Sequence, residues 1–238
     1  MCQIVNKGKL MIKSKIKIRT RFVPKGMKIL YEDRDIIIIN KNAKLLSVPT
    51  ETEKEKTALA LLTNYVRKGN PKARISLFAV HRLDYDTSGL LIFAKSMVIR
   101  EKFASQWKDV KKKYLTLIHG HFEKKSDIIE SYLTENENYK VYSVKNPQDG
   151  KFARTKYTVL KESEEFSLLE IDLLTGKKNQ IRVHMSESGH PIYGDKKYGD
   201  SKKKRLALHA LSIKFKHPFN NEEMYFETEK PDFVNMCN

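Results

Sequence analysis

Two candidate apolar segments, "DIIIIN" at Asp35–Asn40 with four consecutive Ile and "GLLIFA" at Gly89–Ala94, each span six residues. That length suits a buried strand and falls far short of the ~20 residues a membrane-spanning helix needs. Most other apolar segments are also strand-sized. "MKILYE" (Met27–Glu32) and "DIIIIN" read as two strands joined at Asp33-Arg34, and "ISLFAV" (Ile75–Val80) precedes "GLLIFA". "KKYLTLIHG" (Lys112–Gly120) alternates as a strand, and "ARTKYTVLKES" with "FSLLEIDLL" predicts a hairpin turning at Glu162–Glu165. "ALHALSIKFKHP" and "EEMYFETE" close the chain as a strand pair. Helical spacing appears in Thr57–Gly69 (Ala58, Leu61, Leu62, Tyr65), in Val98–Val110 (Ile99, Phe103, Trp107), and in Asn179–Ser188. Strands broken by scattered helices, without regular βαβ alternation, predict an α+β fold with a mixed, largely antiparallel sheet.

Charge sets the partner. Lys and Arg number 46 against 29 Asp and Glu, a formal +17, which suits a polyanion such as nucleic acid or else a merely Lys-rich solvated surface. Cys2 and Cys237 stand at opposite ends, without the spacing of a disulfide framework or zinc site. The seven His show no HExxH-type spacing, so no metal is assigned. The basic first 25 residues lack the apolar centre of a signal peptide, and no Pro/Gly/Ser-rich linker divides the rest. The expectation is a basic arm over 1–25, one domain over 26–238, and a cytoplasmic protein that does not enter a membrane.

The stretch "HRLDYDTSGLLIFAKS" (His81–Ser96) places a polar turn between two apolar strands. Asp86-Thr87-Ser88-Gly89 is turn composition. By itself, His81-Arg82-Leu83-Asp84 reads as turn formers and surface charge. A loop mounted on two buried strands is nevertheless a rigid place to display reactive groups.

His81-Arg82-Leu83-Asp84, followed by Thr87-Ser88-Gly89-Leu90-Leu91, resembles the HRLDxxTSGLL signature of the RluA family of RNA pseudouridine synthases. Further segments are similar in family order. Lys112-Lys113-Tyr114 resembles K-x-Y, and Thr175–His184 resembles TGRxHQIRxH. Pro191–Gly199 resembles PIxGDxxYG, and Leu208-His209-Ala210 follows. Two segments depart from the family pattern. Asn40–Pro49 lacks the Pro, Gly and His of NKPxGLxVHP, while Lys177 and Asn179 replace the usual Arg and His. The 25 residues before the resemblance are too few for the S4 RNA-binding domain that many relatives carry.

The resemblance implies the pseudouridine synthase fold, a sheet flanked by helices around an RNA-binding cleft. It also implies isomerisation of a uridine in ribosomal or transfer RNA without a cofactor, by a protein expected to be a monomer. Asp84 matches the nucleophile, with attack on the base or on the sugar C1′ left open. Arg182 matches the residue that pairs with Asp84, and a nearby guanidinium favours an ionised carboxylate against desolvation. Tyr114 matches the aromatic residue that stacks on the base and assists removal of the C5 proton. Ile181 is expected beneath the base and Lys112 among the substrate contacts. Arg82 is expected to fill the space left by the flipped nucleotide or to grip the neighbouring phosphate, and His81 to touch RNA or hold the loop. Specificity is assigned to the loops Thr50–Glu55 and Glu123–Lys151. The competing reading is a non-catalytic RNA-binding or ribosome-assembly protein on the same scaffold; keeping Asp84, Tyr114 and Arg182 together argues against it.

Overall fold

The computed structural model describes residues 24–199 and 204–237, and the backbone of 4–6 and 9–11. Most of the basic arm and part of the Lys-rich run at 195–205 lie outside the described residues. The chain forms two compact units, Met1–Val110 with Ser212–Glu229, and Lys111–Leu211 with Lys230–Asn238. The span 26–238, read from the sequence as one domain, takes in all of the second unit and the first from residue 26 onward.

The first unit opens with a small hairpin, β1 (Ile4–Asn6) and β2 (Lys9–Met11). There follow β3 (Met27–Glu32), β4 (Ile36–Lys41), α1 (Ala58–Val66), β5 (Phe78–Ala79), β6 (Ser88–Ala94) and α2 (Met97–Gln106). The second unit carries β7 (Lys111–His119), β8 (Ser126–Glu135), β9 (Val141–Val144), β10 (Lys151–Glu162), β11 (Phe166–Leu173) and α3 (Gln180–Glu187). The chain then returns through β12 (Leu208–Lys216), which begins in the second unit and ends in the first, to β13 (Glu223–Glu227). β4 lies between β3 and β6, and β13 pairs with β12; in the second unit the order is β7-β11-β10-β8-β9. Every pairing whose register is described is antiparallel. This is the α+β architecture expected from the sequence.

Local chemistry explains the boundaries. At the β3–β4 turn Asp33 Oδ1 accepts the N–H groups of Asp35 and Ile36, both at 2.7 Å, where Asp33-Arg34 was expected to turn the chain. Thr57 and Ser96 cap α1 and α2 by accepting from Ala60 N and Ile99 N, contacts worth about 1 kcal/mol each. Ile36–Ile39 are fully buried on both faces of the sheet, which is why β4 reads as an unbroken apolar run. One face packs Ile36, Ile38, Leu90 and Ile92 against Ile99 and Phe103 of α2 and Phe215 and Phe226 of the returning strands.

Two expectations need correction. "ISLFAV" gives a strand of only two residues, Phe78–Ala79, and Ile75 is exposed. Glu123–Lys151, expected as loop, is largely the β8–β9 hairpin, with Tyr132 opposite Val144 and β8 also paired along β10. In β8 the apolar residues fall on both faces, Ile128 and Tyr132 on one, Ile129 and Leu133 on the other. No period-2 signal therefore marks the strand. Among the described residues no helix is long and apolar enough to cross a membrane.

Candidate active site

The side chains expected at the site divide between the units. His81, Arg82 and Asp84 belong to the first, and Lys112, Tyr114, Ile181 and Arg182 to the second.

In the first unit, Asp84 sits half-buried at the start of a turn closed by Thr87 N–H donating to Asp84 O (3.2 Å). Both of its neighbours are fastened by their backbones. Ser47 Oγ donates to Leu83 O (2.7 Å) and accepts from Leu83 N–H (3.0 Å). Lys44 N–H donates to Tyr85 O at 2.8 Å. Lys41, a lysine with no exposed surface, turns its ammonium onto the carbonyls of Leu45 (2.8 Å) and Asn42 (3.0 Å), with Tyr85 O at 3.5 Å. The altered first segment thus still grips the turn. At the position of the pattern's Gly, Lys44 takes the left-handed conformation (φ +63°), tolerable because its side chain is exposed. Gly89, at φ +114°, supplies the backbone freedom expected of it. His81 Nε2 accepts from Ile92 N–H at 3.3 Å and its ring lies 5.0 Å from that of Trp107, so it holds the loop. Arg82 is exposed.

In the second unit, Tyr114 lies buried in β7 opposite Ile171. Lys112, two residues earlier, is half-buried, and burial pushes its pKa down. Lys113, on the alternate face, is ion-paired with Glu170. The turn before α3 is organised by Gln180. Its Oε1 accepts from Thr175 Oγ1 (2.8 Å) and Lys177 N–H (3.0 Å), and its Nε2 donates to Arg154 O and Thr155 Oγ1, both at 2.9 Å. Asn179 takes the left-handed turn at φ +53°. His184 anchors the helix from below, with Nδ1 2.8 Å from Thr155 Oγ1 and Nε2 2.9 Å from Ser131 Oγ. Because Gln180 already donates to Thr155 Oγ1, that hydroxyl can give its proton to Nδ1. The network accommodates the neutral ring with its proton on either nitrogen. Burial pushes the His184 pKa down to about 4, in keeping with a neutral ring.

Ile181 is buried on α3, and Arg182 beside it is held by a partner the sequence reading did not foresee. Nε donates to Asp195 Oδ2 and Nη2 to Asp195 Oδ1, both at 2.8 Å, a bidentate pair almost closed to solvent. Nη1 lies 3.4 Å from Asn179 Oδ1, and the guanidinium carbon is 5.2 Å from the centre of the Tyr198 ring. Burial pushes the Asp195 carboxyl up, but bonds from Arg182 and the N–H groups of Tyr198 and Lys197 outweigh that and hold it below the ordinary carboxylate range. Ser47, Lys41, Gln180, His184, Asp195 and Tyr198 were not singled out from sequence, although all lie within the segments that carry the resemblance. Among the described residues the grouping of potential metal donors is Asp33, Asp35 and His217. There Asp33 is already committed to Tyr31, His217 and two backbone N–H groups.

A family model described as RNA pseudouridylate synthase matches residues 35–187, the span from β4 through α3. The chain belongs to that family. It is 36% identical over 209 residues to a protein of Mycoplasma pneumoniae named an uncharacterized RNA pseudouridine synthase, covering 84% of this chain and 66% of that one. It is 35% identical over 207 residues to ribosomal large subunit pseudouridine synthase C of Vibrio parahaemolyticus, covering 82% of this chain and 63% of the relative. The chain thus spans just under two thirds of the length of these relatives. Among solved structures, human RNA pseudouridylate synthase domain containing 4 superposes with a TM-score of 0.71 at 23% identity, covering 88% of this chain and 90% of that one. That likeness establishes the fold. Human RNA pseudouridylate synthase domain containing 1 gives 0.68 at 25% identity, over 89% and 86%.

Proposed function

We propose that the chain is an RNA pseudouridine synthase that isomerises uridine in ribosomal or transfer RNA with Asp84 as nucleophile. The observation that carries this reading is the mount of Asp84, a reactive carboxylate on a turn whose two neighbouring residues are hydrogen-bonded in place. A turn former alone needs no such fixation, whereas a nucleophile must meet its carbon within a fraction of an ångström. In the reaction the N1–C1′ bond breaks, the base rotates, a C5–C1′ bond forms as the bond to Asp84 is released, the C5 proton leaves and N1 takes up a proton from solvent. Asp84 supplies the attacking oxygen and Tyr114 stacks on the base and assists loss of the C5 proton, while Arg182 is the cation that accompanies the carboxylate. The target uridine must leave its stack to be reached, and exposed Arg82 suits the vacated place. The +17 charge supplies phosphate contacts. Relatives named for the large ribosomal subunit favour ribosomal RNA as the target.

The test is to incubate wild-type and Asp84→Ala protein with total RNA from a strain lacking the gene and map pseudouridine by carbodiimide-stop sequencing. New stops are expected with wild type and none with the variant. Tight RNA binding by both without any new stop would instead point to a non-catalytic binder.

A further inference from the structure

We propose that Asp195 and Tyr198 are positioning residues that set the plane of the Arg182 guanidinium, so that the Pro191–Gly199 segment acts on the reaction through Arg182. This rests on the reading of Arg182 given above. The case begins with the geometry of the pair. Asp195 takes Nε and Nη2 of Arg182 in a two-point fork, which fixes orientation as well as distance, and leaves Nη1 as the nitrogen outside the fork. Tyr198 closes one face, its ring 5.2 Å from the guanidinium carbon.

The clamp is itself clamped. Asp195 Oδ1 also accepts from Lys197 N–H (2.8 Å) and Tyr198 N–H (3.0 Å), so the carboxylate cannot rotate without breaking the turn that carries it. Gly194 at φ +75° packs so closely on the Arg205 carbonyl that an added Cβ would lie 2.2 Å from its oxygen, which fixes where that turn begins. The Tyr198 hydroxyl accepts from Val141 N–H (3.0 Å) and Asn179 Nδ2 (3.1 Å), and Ser186 Oγ donates to Tyr198 O (2.6 Å). Asn179 and Ser186 flank Arg182 at either end of α3, so the segment is bolted to the helix whose arginine it grips.

Stability alone does not call for this arrangement. A buried ion pair roughly breaks even against well-packed apolar residues, because desolvating both charges offsets their attraction. What an apolar substitute cannot do is hold a guanidinium in one plane. Asp195 is 1% exposed and lies on no surface where it could touch RNA. Its bonds go to Arg182 and to the turn that carries Tyr198, so its route to the reaction is through Arg182 and the segment that grips it.

The experiment is single-turnover tritium release from total RNA of a gene-deleted strain labelled with 5-tritiated uridine, with enzyme in excess. Asp195→Asn is expected to slow release by about 10- to 100-fold while the half-saturating enzyme concentration stays within about twofold. In an Arg182→Lys background, where the fork cannot form, the same change is expected to cost nothing further. An unchanged rate, an equal loss in the Arg182→Lys background, or a loss confined to half-saturation would overturn the proposal. If Asp195→Asn does not fold by circular dichroism, Tyr198→Leu takes its place. It is expected to slow release about 10-fold in the wild-type background and not in Arg182→Lys, and an unchanged wild-type-background rate overturns the proposal. Release by wild type and none by Asp84→Ala, with Asp195→Asn fully active, removes this inference and leaves the proposed function standing. No release by wild type, or full release by Asp84→Ala, removes both.

Discussion

The mounts of Asp84 and Arg182 are built on opposite plans. Asp84 is held through backbone, with Ser47 bracketing Leu83 and the Lys41–Lys44 stretch gripping Tyr85 O, so few of the contacts depend on what the gripped side chains are. Arg182 is held side chain to side chain, by Asp195 and Tyr198, on a helix footed on Gln180 and His184. A backbone mount tolerates sequence change as long as donors and acceptors stay in place. This explains how the first segment can lose the pattern's Pro, Gly and His and still hold the turn. A side-chain mount needs particular functional groups, and the third segment departs less, at Lys177 and Asn179.

The contrast can be broken most sharply at Lys41. Lys41→Met keeps the length of the side chain but removes the donors for the carbonyls of Asn42 and Leu45. The variant is expected to lose about 3 kcal/mol of stability, read as a lower urea midpoint at constant slope. A loss under ~1 kcal/mol would mean that the backbone mount stands without it. The second test is pH. His184 and His209 have folded-state pKa values near 4, both lowered chiefly by burial, against about 6.5 in the unfolded chain. The folded state therefore binds fewer protons across that window. Stability is complete above about pH 6.5 and falls as pH drops towards 4, by roughly 3 kcal/mol per histidine. His184→Gln should remove about half of this slope in melting curves taken between pH 4.5 and 7, and an unaltered slope would rule out His184 as a source. The smallest effect is expected at Ser47→Ala, about 1–2 kcal/mol from two buried hydrogen bonds to one residue. Its diagnostic is a fall in kcat larger than any change in KM. The reverse split would detach Ser47 from the placement of Asp84.

Sequence carried the fold wherever period and burial agreed. β4 and β6 announced themselves because each is buried on both faces, and α1 because Ala58, Leu62 and Tyr65 fall on one buried stripe. β8 stayed hidden because it has an intermediate burial pattern and mixed faces, and its pairing partners β9 and β10 come later in the chain. At the site, the motif segments were legible but not the division of labour within them. Gln180 and His184 gain their meaning from Thr155 and Ser131, and Asp195 from Arg182, thirteen residues away. Such partnerships follow from tertiary placement, which no local periodicity encodes. Lys41 was the hardest to see, since a lysine in a chain with 46 Lys and Arg gives no hint that it is buried.

The split of β12 between the units has a consequence for how the polypeptide is made. The core of the first unit includes Ile213, Phe215, Met224 and Phe226, which leave the ribosome only after the whole of Lys111–Leu211. The bulk of the second unit, Lys111–Leu211, is thus an insertion that can begin to fold while its host still waits for two strands, its own last segment, Lys230–Asn238, being made after both. A pause or premature stop just beyond residue 211 would leave the inner unit without Lys230–Asn238 and an open sheet edge at β6, which then lacks β12. Synthesis must run through β12 before the strand that follows Asp84 has its full complement of neighbours.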